Sequence, residues 1–148
     1  MSSRVESYIP LAQAFAARSA FFHEAVAAKL GLHGTDVKVL RLVEATPRAP
    51  SELATELGLT NAALTAVVDR LESAGFATRV RDAHDRRRIT VHVVPAKMRK
   101  LDKLYDGQRA AMAKLLGRYD ASEWSAIADF LERTAEVLIA ETGKLRDV

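Results

Sequence analysis

The sequence predicts a mainly α-helical fold with one small β hairpin, and three observations carry that prediction. Apolar residues recur at three- and four-residue intervals along most of the 148 residues, the spacing of helices with one buried side. Alanine and leucine abound while aromatics make up only 6%, a bias that suits helices. The exception is the stretch from Phe76 to Val94. There two short runs rich in β-branched residues flank the polar loop Asp82-Ala83-His84-Asp85-Arg86-Arg87-Arg88, which reads as two strands and their connection.

Each element has its own signals. The first helix is expected to start near Ser7 to Pro10, because serine caps and proline is tolerated in a first turn. Leu11, Phe15, Phe22, Val26 and Leu30 form its stripe, and Gly31 suits the position just past its end. Thr35 is expected to cap the second helix, with Asp36 at its positive end. Val39, Leu40, Leu42 and Val43 are its inward side, and Pro47 and Pro50 end it. Ser51 is expected to cap a third helix that Gly58 stops. Thr60 caps a fourth, with Leu64, Val67, Val68 and Leu71 inward and Gly75 at its close. A long helix is expected from about Pro95 to Arg118, weakened at Gly107 and Gly117. Asp120-Ala121-Ser122-Glu123 resembles a capping box and opens a last helix to about Gly143, with Ile127, Phe130, Leu131, Ala135, Leu138 and Ile139 on one side.

Size and composition bound the function. The length suits a single domain over 1–148 with a real core. With 49% hydrophobic and 28% charged residues the chain is globular. It has no cysteine, so disulfides, zinc–thiolate sites and thiol redox sensing are excluded. The opening residues lack the apolar core of a signal peptide, and no apolar run approaches the length of a membrane span. A soluble cytoplasmic protein with no membrane partner is the expectation. The net charge of +3 is local in origin, since Arg79 to Arg88 holds five arginines against Asp82 and Asp85. Ordinary solvated surface accounts for the basic residues of 95–118. Three consecutive arginines at a hairpin tip repel one another and call for a polyanion.

The order short helix, three-residue turn, longer helix and hairpin is that of a helix-turn-helix with a wing, here about residues 35–94. A helix about 10–12 Å in diameter fits a DNA major groove about 12 Å wide. With Leu64, Val67, Val68 and Leu71 inward, the fourth helix presents Asn61, Ala62, Thr65, Ala66, Asp69 and Arg70. Asn61 can pair with adenine, Thr65 offers a hydroxyl and a methyl, and the alanines permit close approach. Local capping or solvation accounts for Asn61 about as well. Ser51 and Thr60 head helices whose N-termini suit phosphate, although capping is their simpler role. Arg79 and Arg81 share one face of the first strand. Arg86, Arg87 and Arg88 form the tip and suit a narrow minor groove. Asp82 and Asp85 shape the turn, Asp85 by pairing with Arg87, and His84 is a turn former that could face a phosphate.

Catalytic and metal constellations are missing from the sequence. His23, His33, His84 and His92 have no metal-ligand spacing. There is no phosphate-cradling glycine loop and no G-x-S-x-G elbow. No cofactor and no enzymatic activity are expected. The helices outside the motif, about 7–31 and 95–146, carry apolar stripes that need partners. A second copy is favoured, because half-sites on one duplex call for two-fold symmetric proteins.

The run D-A-H-D-R-R-R-I-T-V-H-V-V, with V-V-D-R-L-E-S-A-G-F upstream, resembles the MarR family of dimeric winged-helix transcription regulators over nearly the whole chain. Asp85-x-Arg87 matches the family's D-x-R in the wing. Leu71-Glu72-Ser73-Ala74-Gly75 matches the end of its recognition helix. The resemblance implies that the terminal helices interlock into a homodimer and that Arg87 or a neighbour probes the minor groove. It also implies a cleft for a small aromatic or anionic effector that weakens DNA binding. Phe15, His23, Arg41 and Trp124 are candidates for that cleft, with core or surface placement the simpler role of each. The chain departs from the family pattern at Ala66, where a longer polar side chain is common. Val93-Val94-Pro95 replaces the usual Leu-Thr after the wing.

The expected function is thus a homodimeric repressor bound to a pseudo-palindromic operator in double-stranded DNA and released by a small effector. The alternative is a winged-helix protein-interaction module that no longer binds DNA specifically, which the alanine-rich face of the fourth helix keeps open.

Overall fold

The computed structural model describes residues 3–81, 85 and 88–146. Its elements, in order, are α1 (Ser3–Lys29), α2 (Gly34–Ala45), α3 (Pro50–Leu57), α4 (Asn61–Ser73), β1 (Ala77–Arg81), β2 (Ile89–Val93), α5 (Pro95–Lys103), α6 (Asp106–Leu116) and α7 (Ala121–Arg146). The expected mainly α fold with a small β wing is what forms. The strands pair antiparallel from Ala77 opposite Val93 to Arg81 opposite Ile89. The Arg48 carbonyl accepts the Val91 N–H at 2.9 Å and adds a one-residue bridge at the sheet edge.

The chain divides into two compact units, 1–105 and 106–148. The first has a continuous core to which α1 to α5 and both strands contribute, with Ala27, Val39, Leu40, Leu53, Leu64, Val68, Leu71, Val91 and Leu101 almost fully buried. The expected inward stripe of α4 is buried at all four positions. In the second unit, neither α6 nor α7 holds a buried residue. Phe130, Leu131, Leu138 and Ile139 of the expected inward stripe all lie exposed. Leu11 and Phe15 of α1 are likewise exposed, so only the C-terminal end of that helix reaches the core.

Several boundaries differ from the sequence expectation for identifiable reasons. Helix α1 begins at Ser3 and carries Pro10 inside it, so the proline does not mark a first turn. Helix α2 begins one residue before Thr35. Its cap is His33, whose N–H donates to the Asp36 carboxylate at 2.9 Å. Ser51 does not cap α3, because Pro50 takes the first helical position, which its fixed φ favours. The cap therefore moves back to Ala49, whose N–H donates to Glu52 at 2.9 Å. The long helix expected over 95–118 is broken between Lys103 and Asp106. The N–H groups of Leu104 and Tyr105 each bond a carbonyl three residues back, at 3.1 and 3.0 Å, while the Tyr105 ring is buried in the first unit. The break thus falls where that ring packs, two residues before Gly107.

Other local signals held. Gly31, Gly58 and Gly75 take left-handed backbone angles at the ends of α1, α3 and α4, where a Cβ would be strained. Asp120 and Glu123 form the expected reciprocal capping box, each accepting the other's N–H at 2.9 Å. Among the described residues no helix is long and apolar enough to cross a membrane.

Candidate nucleic-acid interface

Helix α3, the turn Gly58-Leu59-Thr60 and α4 form the helix-turn-helix. Thr60 caps α4 as expected, its hydroxyl oxygen accepting the Ala63 N–H at 3.1 Å. The next residues outward, Asn61, Ala62, Thr65 and Ala66, are all exposed. Thr65 donates its hydroxyl to the Asn61 carbonyl at 2.8 Å, so that proton is committed within the helix. An open hollow beside this face brings Ser51, Asn61 and Thr65 together with Asp85, Arg88 and Ile89 at the base of the wing. Arg88 lies 3.8 Å from Glu52, and its backbone N–H donates to the Asp85 carbonyl at 2.9 Å.

Three charged residues expected at the DNA surface have internal partners. Arg70 reaches Asp36 with Nη2 at 2.6 Å and Nε at 3.4 Å. Asp36 is fully buried. The hydrogen bond to it holds the Arg70 guanidinium above its ordinary range, outweighing a smaller opposing cost of desolvation. Arg79 pairs with Asp69 at 2.7 Å and also with the Glu72 carboxylate. Its backbone N–H donates to Glu72 at 2.7 Å. Burial acts to lower its pKa, but the bonds to Asp69 and Glu72 prevail and raise it. Arg79 thus ties the first wing strand to α4, and Arg70 ties α4 to α2. Arg81 is exposed at the end of β1. Asp82, His84, Arg86 and Arg87 lie outside the described residues, and with them the expected Asp85–Arg87 pair.

Sequence reasoning missed the acids that make these ties. Asp36 was legible only as a first-turn residue, and Glu72 only as part of a family signature. It also missed Lys97, whose ammonium donates to the Ala74 carbonyl at 3.1 Å and lies 5.3 Å from the centre of the Phe76 ring. That side chain closes the C-terminal end of α4, where cations suit the free carbonyls.

The effector-cleft candidates separate. His23 Nδ1 lies 3.0 Å from the Tyr105 hydroxyl. Arg41 sits over the same ring at 5.4 Å and bridges Glu44 and Asp102, each at 2.8 Å. Desolvation opposes its charge, yet the bonds to Glu44 and Asp102 leave its pKa raised. Phe22 meets the Tyr105 ring edge-on. Phe15 stands exposed on α1. Trp124 belongs to the second unit, where it lines a shallow hollow with Leu116, Tyr119, Asp120 and Ala121. Among the described residues no group of three or more His, Asp or Glu is placed to hold a metal ion.

Residues 30–88 match the sequence profile of the MarR family. The chain is 33% identical over 130 residues to YcgE, an uncharacterized HTH-type transcriptional regulator of Bacillus subtilis, covering 87% of this chain and 84% of that protein. Its fold is similar to that of the transcriptional regulator BldR of Sulfolobus solfataricus, at 23% identity and a TM-score of 0.66 over 95% of this chain and 99% of that one. It is also similar to Escherichia coli MarR, at 20% identity and a TM-score of 0.64 over 84% and 93% of the two chains. Streptococcus pneumoniae FabT, solved in complex with DNA, matches at 21% identity and a TM-score of 0.60 over 71% and 74%. The chain therefore belongs to the MarR family of transcriptional regulators.

Proposed function

We propose that this protein is a homodimeric repressor that binds a pseudo-palindromic site in double-stranded DNA. The observation that carries the reading is the hollow between the outer face of α4 and the base of the wing. It sets Asn61 and Thr65 beside Ser51 and Arg88. In this reading α4 enters the major groove and the arginines of residues 81–88 follow the adjacent phosphates and minor groove. The dimerisation helices are 7–31 and 95–146. Their uncovered apolar residues, Phe15 and Phe21 on α1 and Leu138 and Ile139 on α7, support a second copy as partner. A small aromatic or anionic effector near His23, Arg41 and Tyr105 would release the DNA, since those side chains offer a ring, a cation and hydrogen-bonding groups. In this reading the protein works in the cytoplasm beside its operator, and its role is binding and not catalysis.

The test is a binding titration on duplex DNA across a salt series. Several arginine–phosphate contacts predict a steep linear fall of log affinity with log salt. Arg87→Ala is expected to abolish tight binding while the dimer stays folded. Affinity retained by that variant at physiological salt overturns the wing assignment. Salt-independent or absent binding by the wild-type protein overturns the DNA reading.

A further inference from the structure

The outer face of α4 has an unusual chemistry for a reader of DNA. Guanine is most often read by a bidentate arginine or lysine in the major groove. The only cation on α4 is Arg70, and it is held by the buried Asp36. The acid on that side, which could accept from cytosine, is Asp69, and it is held by Arg79. Thr65 gives its hydroxyl proton to the Asn61 carbonyl, so what it offers a ligand is its γ-methyl and an acceptor oxygen, with no donor. Ala62, Thr65 and Ala66 are neighbours at helical spacing, and all three are exposed. What α4 presents is therefore a ridge of three methyl groups, with the Thr65 oxygen as a lone acceptor among them and one amide, Asn61, at its head.

In the major groove the one apolar feature that differs between bases is the C5-methyl of thymine. We propose that α4 reads its half-site by packing Ala62, Thr65 and Ala66 against thymine methyl groups, with Asn61 pairing to an adjacent adenine. This rests on the DNA-binding reading above and specifies its ligand as a half-site whose central major-groove steps are A·T pairs. The alanine at position 66 then serves recognition, because a longer side chain there would hold the backbone away from the methyl groups.

The experiment uses the full-length protein and duplexes selected by it from a random pool at fixed salt. Each thymine in turn is replaced by deoxyuridine, which removes the methyl and leaves every hydrogen-bonding group in place. The methyl lies in the major groove, so contacts of the wing in the minor groove are not touched. Loss of one buried methyl is expected to weaken binding about fourfold at one or two thymines per half-site. Thr65→Ser removes only the γ-methyl and is expected to lose affinity on the thymine duplex but not on the matching deoxyuridine duplex. Thr65→Val keeps the methyl and is expected to retain the thymine preference. Deoxyuridine duplexes bound as tightly as their thymine parents, with 7-deazaguanine substitution costly instead, would overturn the inference while leaving the DNA reading intact. Failure of any sequence to enrich, together with no salt-sensitive duplex binding, would overturn both.

Discussion

The buried carboxylate of Asp36 receives the guanidinium of Arg70 at 2.6 Å from a residue 34 positions later in the chain. The same carboxylate accepts the His33 N–H at the start of α2. One acid therefore caps the second helix and fixes the roll of the fourth. Roll matters because it decides which residues of α4 face outward.

Removing Arg70 leaves a buried carboxylate with a backbone N–H as its remaining partner. Truncating one member of a fully buried pair costs about 3–5 kcal/mol. The Arg70 side chain is 43% exposed, so solvent screening reduces that, and Arg70→Ala is expected to cost about 1–2 kcal/mol. Asp36→Ala should cost more, about 2–4 kcal/mol, because it also uncaps α2. Urea unfolding of both singles and of the double variant checks this. The double should be less destabilised than the sum of the singles. Strict additivity would show that the pair carries no coupling.

Arg79 makes the corresponding tie between the wing and α4. Its substitution by alanine frees Asp69 and Glu72 and removes the side-chain hold on β1, though the backbone bond from residue 79 to Glu72 remains. The expected cost is about 1 kcal/mol, given a side chain 28% exposed. The more specific effect is local. Hydrogen exchange at the amides of β1 should speed up while the amides of α2 keep their protection. Uniform acceleration across the first unit would mean that Arg79 supports the whole fold and not the wing in particular.

How much of this was legible in the sequence depended on the range of the interaction. The α3–turn–α4 unit and both strands are written in local signals: a glycine at a left-handed position, a threonine cap, a 3.6-residue stripe, and β-branched runs around a polar loop. Those signals act within a few residues, so they survive in the linear order. The Asp36–Arg70 pair does not, because nothing near Asp36 names a partner 34 residues away, and the helix dipole already offered that acid a local role. Ser51 has the chemistry of a cap, yet the adjacent Pro50 claims the first helical position and moves the cap to Ala49. The break at Leu104 and Tyr105 coincides with burial of the Tyr105 ring, a tertiary contact that the linear order does not display. In the candidate interface periodicity marks the exposed residues of α4, whereas the internal engagement of Asp69, Arg70 and Arg79 depends on partners brought near only by the fold.

Tyr105 is the last residue of the first unit; its hydroxyl meets His23, while its ring packs against Phe22, His23 and Arg41. Tyr105→Phe deletes the bond to His23 and keeps the ring against Phe22 and Arg41. A loss of about 1 kcal/mol is expected. Tyr105→Ala also empties the ring site and should cost about 3–5 kcal/mol. Thermal unfolding of the two variants separates hydroxyl from ring. Equal losses would place all of the effect in the hydrogen bond.

Two helices spanning residues 106–146 with no buried residue among them cannot draw stability from an apolar core of their own. Phe21 is 73% and Ile139 74% exposed, and each side chain is worth about 1.5–3 kcal/mol when fully covered. A homodimer that covers both should fail when either becomes charged. Phe21→Asp and Ile139→Asp are expected to shift sedimentation from dimer to monomer. Far-UV circular dichroism should fall at the same time, since α6 and α7 lose the surface that keeps them helical. Arg133→Ala, at an exposed pair with Asp129 on α7, is a matched surface change expected to leave both readouts within error. A wild-type protein that sediments as a monomer with full helicity would show that α6 and α7 need no second copy.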